Sequence, residues 1–434
     1  MNRYREPERE IPIIHTVDVL VCGGGPAGVG AAVVAGRQGV STMVVESMDC
    51  LGGTATAGLM SAWGGRSSSQ VMQEIFERTH QKWEILGDSG DERVGLSSIH
   101  HEAQKIVLDE LMRETGVRIL FCTIVCGAIV EQDRVRGVIV ENKSGRGVIL
   151  AKCVIDATGD GDVAAYAGVP YTKGRKEDGK MQPCTLMFNI GGVDYEKAVF
   201  PGSFETKVFT EKGELQSLAK TRLPFPAGHV LLYPNPVPQA ASCNMTNDID
   251  IDGTDAESIT KGILDCRSQI EPIIEFLHEY VPGYEKCWLM SSASILGIRE
   301  TRHFEGIETL AEDTILQAKL HDDWVVRRAY FNFDVHNITG SGLDKTGVQH
   351  EWKQPDDYSI PYGCLLPKKI EGLLLSGRNI SGSHLAHSNF RIMSVCIALG
   401  EAAGAAAALA VKNSQVLKEV DVCAIQKIVG DNCS

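Results

Sequence analysis

The residues best suited to chemistry lie between Asp18 and Glu46, where three glycines follow a run of apolar residues. Gly23, Gly25 and Gly28 have the G-x-G-x-x-G spacing. In this pattern the first glycine permits a tight turn, the second lets the backbone approach a pyrophosphate, and the third lets a helix pack closely on a strand. The helix that follows would direct its N-terminal amides at the phosphates. The stretch therefore predicts a dinucleotide site.

Glu46 follows the glycines by about twenty residues, where a carboxylate can bind a ribose hydroxyl of a dinucleotide. A lone G-x-G-x-x-G can also be a purely structural turn. Here a strand, a helix, a second strand and an acidic residue follow in the expected order, which favours a bound dinucleotide. A further pair, Gly52 and Gly53, followed by small hydroxyl residues, indicates a second close approach of backbone to ligand.

The elements around these motifs predict an α/β fold with a Rossmann-like domain. Three short strands separated by polar turns are expected over 117–159, where a Rossmann fold usually has a crossover helix. This predicts a parallel sheet extended by a three-strand antiparallel meander, which leads into ATGDGD at 157–162. The C-terminal part adds a strand, a glycine- and serine-rich loop over 377–389, and a long small-residue helix from Arg391.

Between about Gly191 and Glu351 the composition changes, because proline, tyrosine, tryptophan and acidic residues become common. We interpret this region as an inserted α+β substrate domain. The predicted division is 1–190 for the first part of the dinucleotide-binding domain, 191–354 for the insertion, and 355–434 for the returning part.

Composition limits the classes of function. A formal net charge of −14 argues against a nucleic-acid partner, which would need a basic face. Thirteen cysteines without a C-x-x-C pair, mostly beside apolar residues, predict buried free thiols in a reducing cytoplasm. Residues 1–10 lack the apolar region of a signal peptide. The run Val395–Val411 is alanine-rich and short for a membrane span, so we predict a buried helix and no transmembrane segment.

Several segments together resemble the FAD-dependent oxidoreductase family, a group of two-dinucleotide-binding flavoproteins distantly related to the flavoprotein subunits of fumarate reductase and succinate dehydrogenase. The resemblance spans nearly the whole chain and implies an enzyme with FAD as cofactor. It does not identify a substrate, because one fold hosts many reactions. The matching segments, in chain order, are GGGPAGVGAA, CLGGTATAG, IDATGDGDVAAYAGVP, LMFNIGGVD, LGIRETRHFEG, FDVHN, IPYGCLLPKKIEGLLLSGRNIS and RIMSVCIALGEAAGAAAALA.

The resemblance implies a set of FAD-contacting positions in four stretches of small residues and one strand. Those expected around the ADP half are Gly23, Gly25, Pro26, Ala27, Gly28, Glu46 and Ser47, with a backbone contact to adenine at Val125. Those expected along the pyrophosphate and ribityl chain, with the last nearer the flavin, are Gly52, Gly53, Thr54 and Thr56. The second nucleotide-contacting turn, the ribityl loop and the helix facing the flavin pyrimidine edge would use Thr158, Gly159, Asp160, Gly377, Arg378, Arg391 and Ile392.

One position departs from the family pattern. Many flavoproteins of this fold have Gly-Asp after the last strand, where the acid binds a ribityl hydroxyl, whereas this chain has Gly377-Arg378. The helix that begins near Arg391 keeps its expected role, because its N-terminus stabilises the negative charge that grows on a reduced flavin.

A proton donor or acceptor is expected in the insertion or the C-terminal loop. His336, His384 and His387 are candidates, because imidazole titrates near neutral pH. Arg302 is a candidate for binding a substrate carboxylate through two hydrogen bonds. Each has a structural alternative: the arginine would form a salt bridge with a nearby acid, and the histidines would be packing residues. Asp334 is expected to orient a neighbour.

These residues predict hydride transfer between flavin N5 and a small polar or carboxylated substrate by a dehydrogenase or oxidase. The reverse reaction, reduction of an alkene as in fumarate reductase, is the main alternative. An electron-transfer subunit working with an iron–sulfur or quinone partner, and a non-catalytic nucleotide binder, also stay open. The electron acceptor is unknown and a homo-oligomer is compatible with the chain. We expect no metal, because no oxygen-rich calcium loop surrounds the ATGDGD acids.

Overall fold

The computed structural model describes residues 4–343 and 353–430. Its strands are β1 (Ile13–Cys22), β2 (Thr42–Val45), β3 (Arg118–Leu120), β4 (Ile124–Glu131), β5 (Arg134–Asn142), β6 (Gly145–Asp156), β7 (Tyr171–Lys173), β8 (Phe188–Gly191), β9 (Phe209–Thr210), β10 (Gly213–Glu214), β11 (Leu232–Pro234), β12 (Ala241–Cys243), β13 (Trp288–Ser292), β14 (Arg302–Phe304), β15 (Trp324–Ala329), β16 (Tyr358–Pro361) and β17 (Leu373–Leu375). Its α-helices are α1 (Pro26–Arg37), α2 (Gln70–Leu86), α3 (His101–Glu114), α4 (Asp162–Tyr166), α5 (Leu215–Arg222), α6 (Ala256–Ser268), α7 (Ile270–Tyr280), α8 (Glu312–Leu316), α9 (His384–Phe390), α10 (Met393–Asn413) and α11 (Val422–Val429).

The largest sheet has seven strands in the order β3-β2-β1-β6-β5-β4, with β17 also paired to β6. Strands β3, β2, β1, β6 and β17 are parallel, whereas β6, β5 and β4 form an antiparallel meander. Strand β6 takes part in both arrangements because its first half pairs with β5 and its end at Val154–Asp156 pairs with β17. The predicted parallel sheet with a meander is confirmed.

Local sequence explains the tight reversal between β4 and β5. Gln132 and Asp133 form its two-residue turn and have φ angles of 50° and 59°. Successive left-handed residues match the twist of the flanking strands in a two-residue hairpin, and aspartate tolerates this region better than most side chains. The stretch that precedes this turn contains both β3, at the parallel edge, and β4 of the meander.

Helices α1 and α10 cross in close backbone contact beneath the sheet's glycine turn. A Cβ atom added at Gly400 would lie 1.9 Å from the carbonyl oxygen of Ala27, and one at Gly404 would lie 2.2 Å from that of Ala31. Helix α10 is long and apolar enough to span a membrane by length and composition, but 89% of its most apolar 18-residue window is buried inside the protein. The predicted buried helix is confirmed, and it packs on α1.

A second, four-stranded antiparallel sheet in the order β11-β12-β8-β13 has its own apolar core. That core contains buried residues from Cys184 to Leu296. Buried residues between Phe304 and Phe333 pack instead with the first core, so the chain returns to that core before residue 354. The predicted domain boundaries stay predictions. The cysteines of the described ranges are free and mostly buried, as expected.

Candidate functional site

The glycines of the G-x-G-x-x-G turn have two different surroundings. Gly23 has a φ of +98°, and a Cβ there would lie 2.4 Å from the carbonyl oxygen of Ala157. A Cβ at Gly28 would lie 1.8 Å from the carbonyl oxygen of Gly23. A Cβ at Gly25, the residue before α1, would meet no atom within 4 Å. The outer glycines are therefore required by packing, whereas Gly25 faces open space at the N-terminus of α1, as a phosphate-binding turn requires.

Glu46 lies at the end of β2 and supports this turn directly. Its Oε2 accepts a 2.6 Å hydrogen bond from the backbone N–H of Gly24, and its Oε1 accepts from the backbone N–H of Met48 at 2.8 Å and the Ser47 hydroxyl at 3.0 Å. The backbone N–H of Thr123 donates to the Glu46 carbonyl, which places the start of β4, with the predicted adenine contact at Val125, beside the same acid. The structure thus brings the residues predicted for the ADP half together.

The second glycine pair lies against the first turn. The backbone N–H of Gly52 donates to the carbonyl of Gly24 at 2.8 Å, and a Cβ at Gly53 would lie 3.0 Å from the Cα of Gly25. A 3₁₀ turn over Gly53–Ala55 includes Thr54 and is followed by Thr56, whose hydroxyl is buried and donates to the carbonyl of Leu51. The hydrogen bond that the Thr56 hydroxyl donates is therefore made to the protein's own backbone. The loop continues to Ala57, whose carbonyl accepts from the backbone N–H of Ser294 next to the second core.

The ATGDGD turn is fixed by the buried carboxylate of Asp156. It accepts hydrogen bonds from the backbone N–H and hydroxyl of Thr158 and from the backbone N–H of Ala164 in α4. Burial raises the pKa of Asp156 to about 6, although these hydrogen bonds oppose the effect. The anchored turn exposes Gly159 and Asp160 toward the C-terminal loop.

The departure from the family pattern at Arg378 has a structural counterpart at Asp160. Arg378 Nη2 donates to Asp160 Oδ1 at 2.9 Å, and a Cβ at Gly159 would lie 2.8 Å from the same nitrogen. Gly377 has a φ of +91°, and a Cβ there would lie 2.9 Å from the Cβ of Ala27. The acid that the family pattern has in the loop after the last strand is therefore supplied here by Asp160, which belongs to the ATGDGD turn. Arg378 Nη1 is buried and has no hydrogen-bond partner among the described residues.

The N-terminus of α10 lies beside a buried ion pair. Arg391 Nη2 donates to Asp334 Oδ2 at 2.8 Å, and no described hydrogen bond satisfies its buried Nε. Ile392 is the N-cap of α10 and contributes no side-chain cap, so the first amides of the helix are free for an anion. The turn at Gly64 reaches the same place, since a Cβ there would lie 3.0 Å from the Ile392 side chain.

Three features of these residues fit FAD: the open cradle at Gly25, the unpaired guanidinium nitrogens of Arg378 and Arg391, and the uncapped N-terminus of α10. They lie along turns that contact one another from α1 to the second core. The residues predicted to hold FAD are therefore brought together, and their individual roles stay predictions.

His336 belongs to a buried charged group with Asp334, Arg299 and Arg391. Its Nε2 lies 3.3 Å from Asp334 Oδ1, and burial lowers the pKa of His336 to about 4. Although burial opposes it, the charges of His336 and Arg391 hold the pKa of Asp334 well below its usual range. Burial, with Arg391 nearby, lowers the pKa of Arg299 to about 10, and Arg299 Nη1 donates to the carbonyl of Pro183.

His384 and His387 of α9 lie in a second buried cluster. Glu300 Oε1 accepts hydrogen bonds from His303 Nε2 at 2.7 Å and from His384 Nδ1 at 2.5 Å. The His387 ring packs edge-on against His303 with centroids 5.0 Å apart. Burial, together with His303, holds the pKa of His387 well below its usual range. The sequence did not single out Glu300 as a site residue, although its i, i+3 spacing from His303 was a signal.

Arg302 does not point to a free pocket. Its Nη1 donates to the carbonyl of Asp160 at 2.7 Å and to Asp162 Oδ1 at 2.8 Å. It therefore binds the ATGDGD turn, in a salt bridge with an acid of that turn rather than with a neighbouring glutamate. Its predicted role in binding a substrate carboxylate stays a prediction.

Comparison with known proteins identifies the family of this protein. The sequence model of the FAD dependent oxidoreductase family matches residues 18–429. The chain belongs to this family. FAD is accordingly its cofactor, and the protein is an oxidoreductase with a Rossmann-type nucleotide-binding fold.

Similar proteins vary in their reactions. Thiamine thiazole synthase of Methanococcus vannielii is 29% identical over 227 residues, covering 48% of this chain and 73% of that protein. The corresponding enzyme of Methanococcus maripaludis is 28% identical over 228 residues, covering 49% and 74%. A geranylgeranyl bacteriochlorophyll reductase-like structure from Thermoplasma acidophilum has a TM-score of 0.50 at 17% identity, covering 95% of this chain and 82% of its own. The flavin-dependent brominase Bmp2 has a TM-score of 0.50 at 12% identity, covering 93% and 81%. These structures share the fold alone, and the relation to fumarate reductase stays a prediction.

Proposed function

We propose that this FAD enzyme transfers a hydride between flavin N5 and a small carboxylated organic substrate, acting as a dehydrogenase or oxidase. The observation that carries the proposal is the buried group formed by Arg299, Asp334, His336 and Arg391. It lies where α10 begins, the end of the protein assigned to the flavin ring. The chain that follows the second glycine pair reaches this region at Gly64, where an added Cβ would lie 3.0 Å from the side chain of Ile392.

The charges of this group favour an anionic substrate. Two guanidinium groups, Arg299 and Arg391, face one carboxylate, Asp334, and burial keeps His336 neutral at physiological pH. The sum is one excess positive charge in a desolvated place, which is costly unless an anion compensates it. A substrate carboxylate supplies that anion, and a guanidinium can bind it through two hydrogen bonds.

Bound FAD supplies a two-electron acceptor for the substrate hydride. The protein must then take up the proton of the substrate hydroxyl or amine. His336 Nε2 lies 3.3 Å from Asp334 Oδ1, and a neutral imidazole has one ring nitrogen that can accept that proton. Asp334 also stabilises the imidazolium that results, as an aspartate does in other His-Asp pairs. Arg299 and Arg391 hold the substrate in place while the proton moves.

The test is anaerobic screening of small hydroxy, amino and saturated carboxylates for loss of the visible flavin absorbance. Asp334→Asn and His336→Gln should slow the bleaching by roughly 10²–10⁴ while the flavin stays bound. His80→Gln, at an exposed position on α2, is the matched control. No bleaching by any carboxylate, together with reoxidation of the reduced protein by unsaturated carboxylates, would instead show the alkene-reducing direction. A stable iron–sulfur or quinone-linked partner in pull-down would favour the electron-transfer alternative.

The 48% of the chain shared with thiamine thiazole synthase is too small a part to assign that reaction here. We retain a cytoplasmic location, a homo-oligomer and an unidentified electron acceptor as proposals.

A further inference from the structure

Three side chains from two distant parts of the chain form one hydrogen-bonded unit. They are His384, Glu300 and His303, which we call the His-Glu-His triad. The side chain of His384 is 16% exposed, that of His303 is 8% exposed, and that of Glu300 is fully buried. Glu300 Oε2 accepts a 3.0 Å hydrogen bond from the backbone N–H of Gln182, which fixes the carboxylate. The triad thus extends from the surface into the core.

The distances within the triad are those of hydrogen bonds rather than of a metal site. Its three ligand atoms lie within 4.8 Å of one another, which is close enough for an ion to be considered. Atoms bound to a tetrahedral zinc ion at about 2.1 Å lie about 3.4 Å apart. The two nitrogen–oxygen distances here are 2.7 and 2.5 Å, as in charge-assisted hydrogen bonds.

The hydrogen bonds determine which histidine atoms can exchange protons. Both rings donate to the same oxygen, so His303 Nδ1 and His384 Nε2 are the remaining atoms. His303 Nδ1 is buried and unpartnered among the residues of the described ranges. With both rings neutral the triad carries one negative charge, and with one extra proton it is neutral. Among the described residues no arginine or lysine hydrogen-bonds the Glu300 carboxylate, so one added proton on either ring would neutralise the triad.

The triad is coupled to the flavin site through His387. The His387 ring packs edge-on against His303 with centroids 5.0 Å apart, and its carbonyl accepts a 3.1 Å hydrogen bond from the backbone N–H of Arg391. The charges of Glu300, Arg391 and Arg378 also act on this ring. Because Arg391 is predicted to contact FAD, negative charge on a reduced flavin would act on the triad through these contacts.

We propose that Glu300 is a positioning residue that holds His303 and His384 as a proton reservoir for the flavin reaction. This inference rests on the proposed function. During substrate oxidation the C–H bond breaks, its hydrogen and electron pair go to the flavin, and the proton of the substrate hydroxyl or amine goes to His336. The triad takes up one further proton from solvent at His384, which compensates the negative charge of the reduced flavin. When the flavin is reoxidised by the electron acceptor, the proton leaves to solvent at His384.

The test measures the midpoint potential of the flavin in the purified holoenzyme between pH 5 and 8, with dithionite as reductant and no substrate. The wild type should bind one more proton per two electrons than Glu300→Gln, so its potential should fall more steeply with pH. His384→Gln, a milder change at a partly exposed position, should give the same loss of slope. Glu305→Gln, at an exposed position five residues away, is the control. Parallel slopes in the wild type and both triad variants would overturn the inference.

A second measurement needs no flavin. Imidazole nitrogen NMR of ¹⁵N-histidine-labelled, flavin-free protein should show a protonated Nε2 for His303 and a protonated Nδ1 for His384. Stoichiometric zinc in the isolated protein that is lost in His384→Gln would show a metal site instead. Substrate bleaching with an unchanged slope would remove this inference and leave the proposed function standing. A slope that both triad variants lose, with no bleaching by any carboxylate, would remove the proposed substrate class and leave the proton uptake standing.

Discussion

Replacing Gly25 with valine should remove the cofactor without harming the protein that holds it. Gly25 has φ −69° and ψ −174°, an extended conformation open to any residue. A Cβ there meets no atom within 4 Å, so the new side chain enters open space. Losing glycine also lowers the entropy of the unfolded chain, so the flavin-free variant should be unchanged or more stable by up to about 1 kcal/mol.

The expected loss is in FAD binding. A valine at this position would occupy the space of the pyrophosphate and separate it from the amides that begin α1. Charge-assisted hydrogen bonds contribute about 1.5–3 kcal/mol each, so loss of two weakens binding by about 3–6 kcal/mol. This corresponds to roughly 10²–10⁴ in affinity.

The assay compares the ratio of flavin to protein absorbance after purification, FAD affinity by calorimetry, and thermal unfolding of the flavin-free proteins. Gly95→Val, also in open space but in an exposed loop, should keep its flavin. Gly28→Ala should instead fail to fold, because its Cβ would lie 1.8 Å from the carbonyl oxygen of Gly23. A yellow, fully loaded Gly25→Val protein would refute the assignment of this turn to the pyrophosphate. If the flavin-free Gly25→Val protein were several kcal/mol less stable to unfolding, the inference that Gly25 is needed for binding and not for packing would be refuted.

Three further predictions concern other parts of the site. Burial raises the pKa of Glu401 on α10 to about 7, above its ordinary 4.5, so its stabilising contribution is complete below pH 4.5 and is lost as pH rises through 7. The free energy of unfolding of Glu401→Gln, relative to that of the wild type, should therefore be about 3 kcal/mol higher at pH 8 than at pH 4, as measured by denaturant unfolding. The same pH dependence in both proteins would disprove this. His387→Ala should slow substrate reduction of the flavin less than His336→Gln does in stopped-flow experiments with flavin still bound, because His336 accepts the substrate proton, and a loss of roughly 10²–10⁴ would move that role to His387. Gly404→Ala should lower unfolding free energy by about 1–3 kcal/mol, since its Cβ would press on the carbonyl of Ala31; a stable variant would mean that the helices can separate.

Structural features that depend on short stretches of sequence were predictable. The G-x-G-x-x-G turn is defined by conformational needs of single glycines, and Gly23 and Gly28 have the close contacts that such a turn requires. The meander was visible because polar turns such as the one at Gln132 and Asp133 separate its strands. Both depend on neighbours in sequence.

Features made by distant segments were not predictable. Asp160 binds Arg378, which lies 218 positions further along the chain. Only the structure therefore shows that the acid that the family has in the loop comes here from another segment. Likewise Glu300 acquires its second histidine from α9, 84 positions away. Composition alone does not reveal which core a short strand joins, so the packing of Phe304 in the first core is visible only in the structure.

The pairing of β17 with β6 and of α10 with α1 has a consequence for how the protein matures. The wall behind the glycine turn is begun by β1 and α1 and is finished by β17 and α10, which are synthesised only after the meander and the second sheet. A nascent chain stalled after the meander would therefore expose the apolar side of α1 to solvent or to chaperones. Capture of the prosthetic group must accordingly wait until α10 has been synthesised, and a truncation anywhere before α10 should yield colourless, aggregation-prone protein.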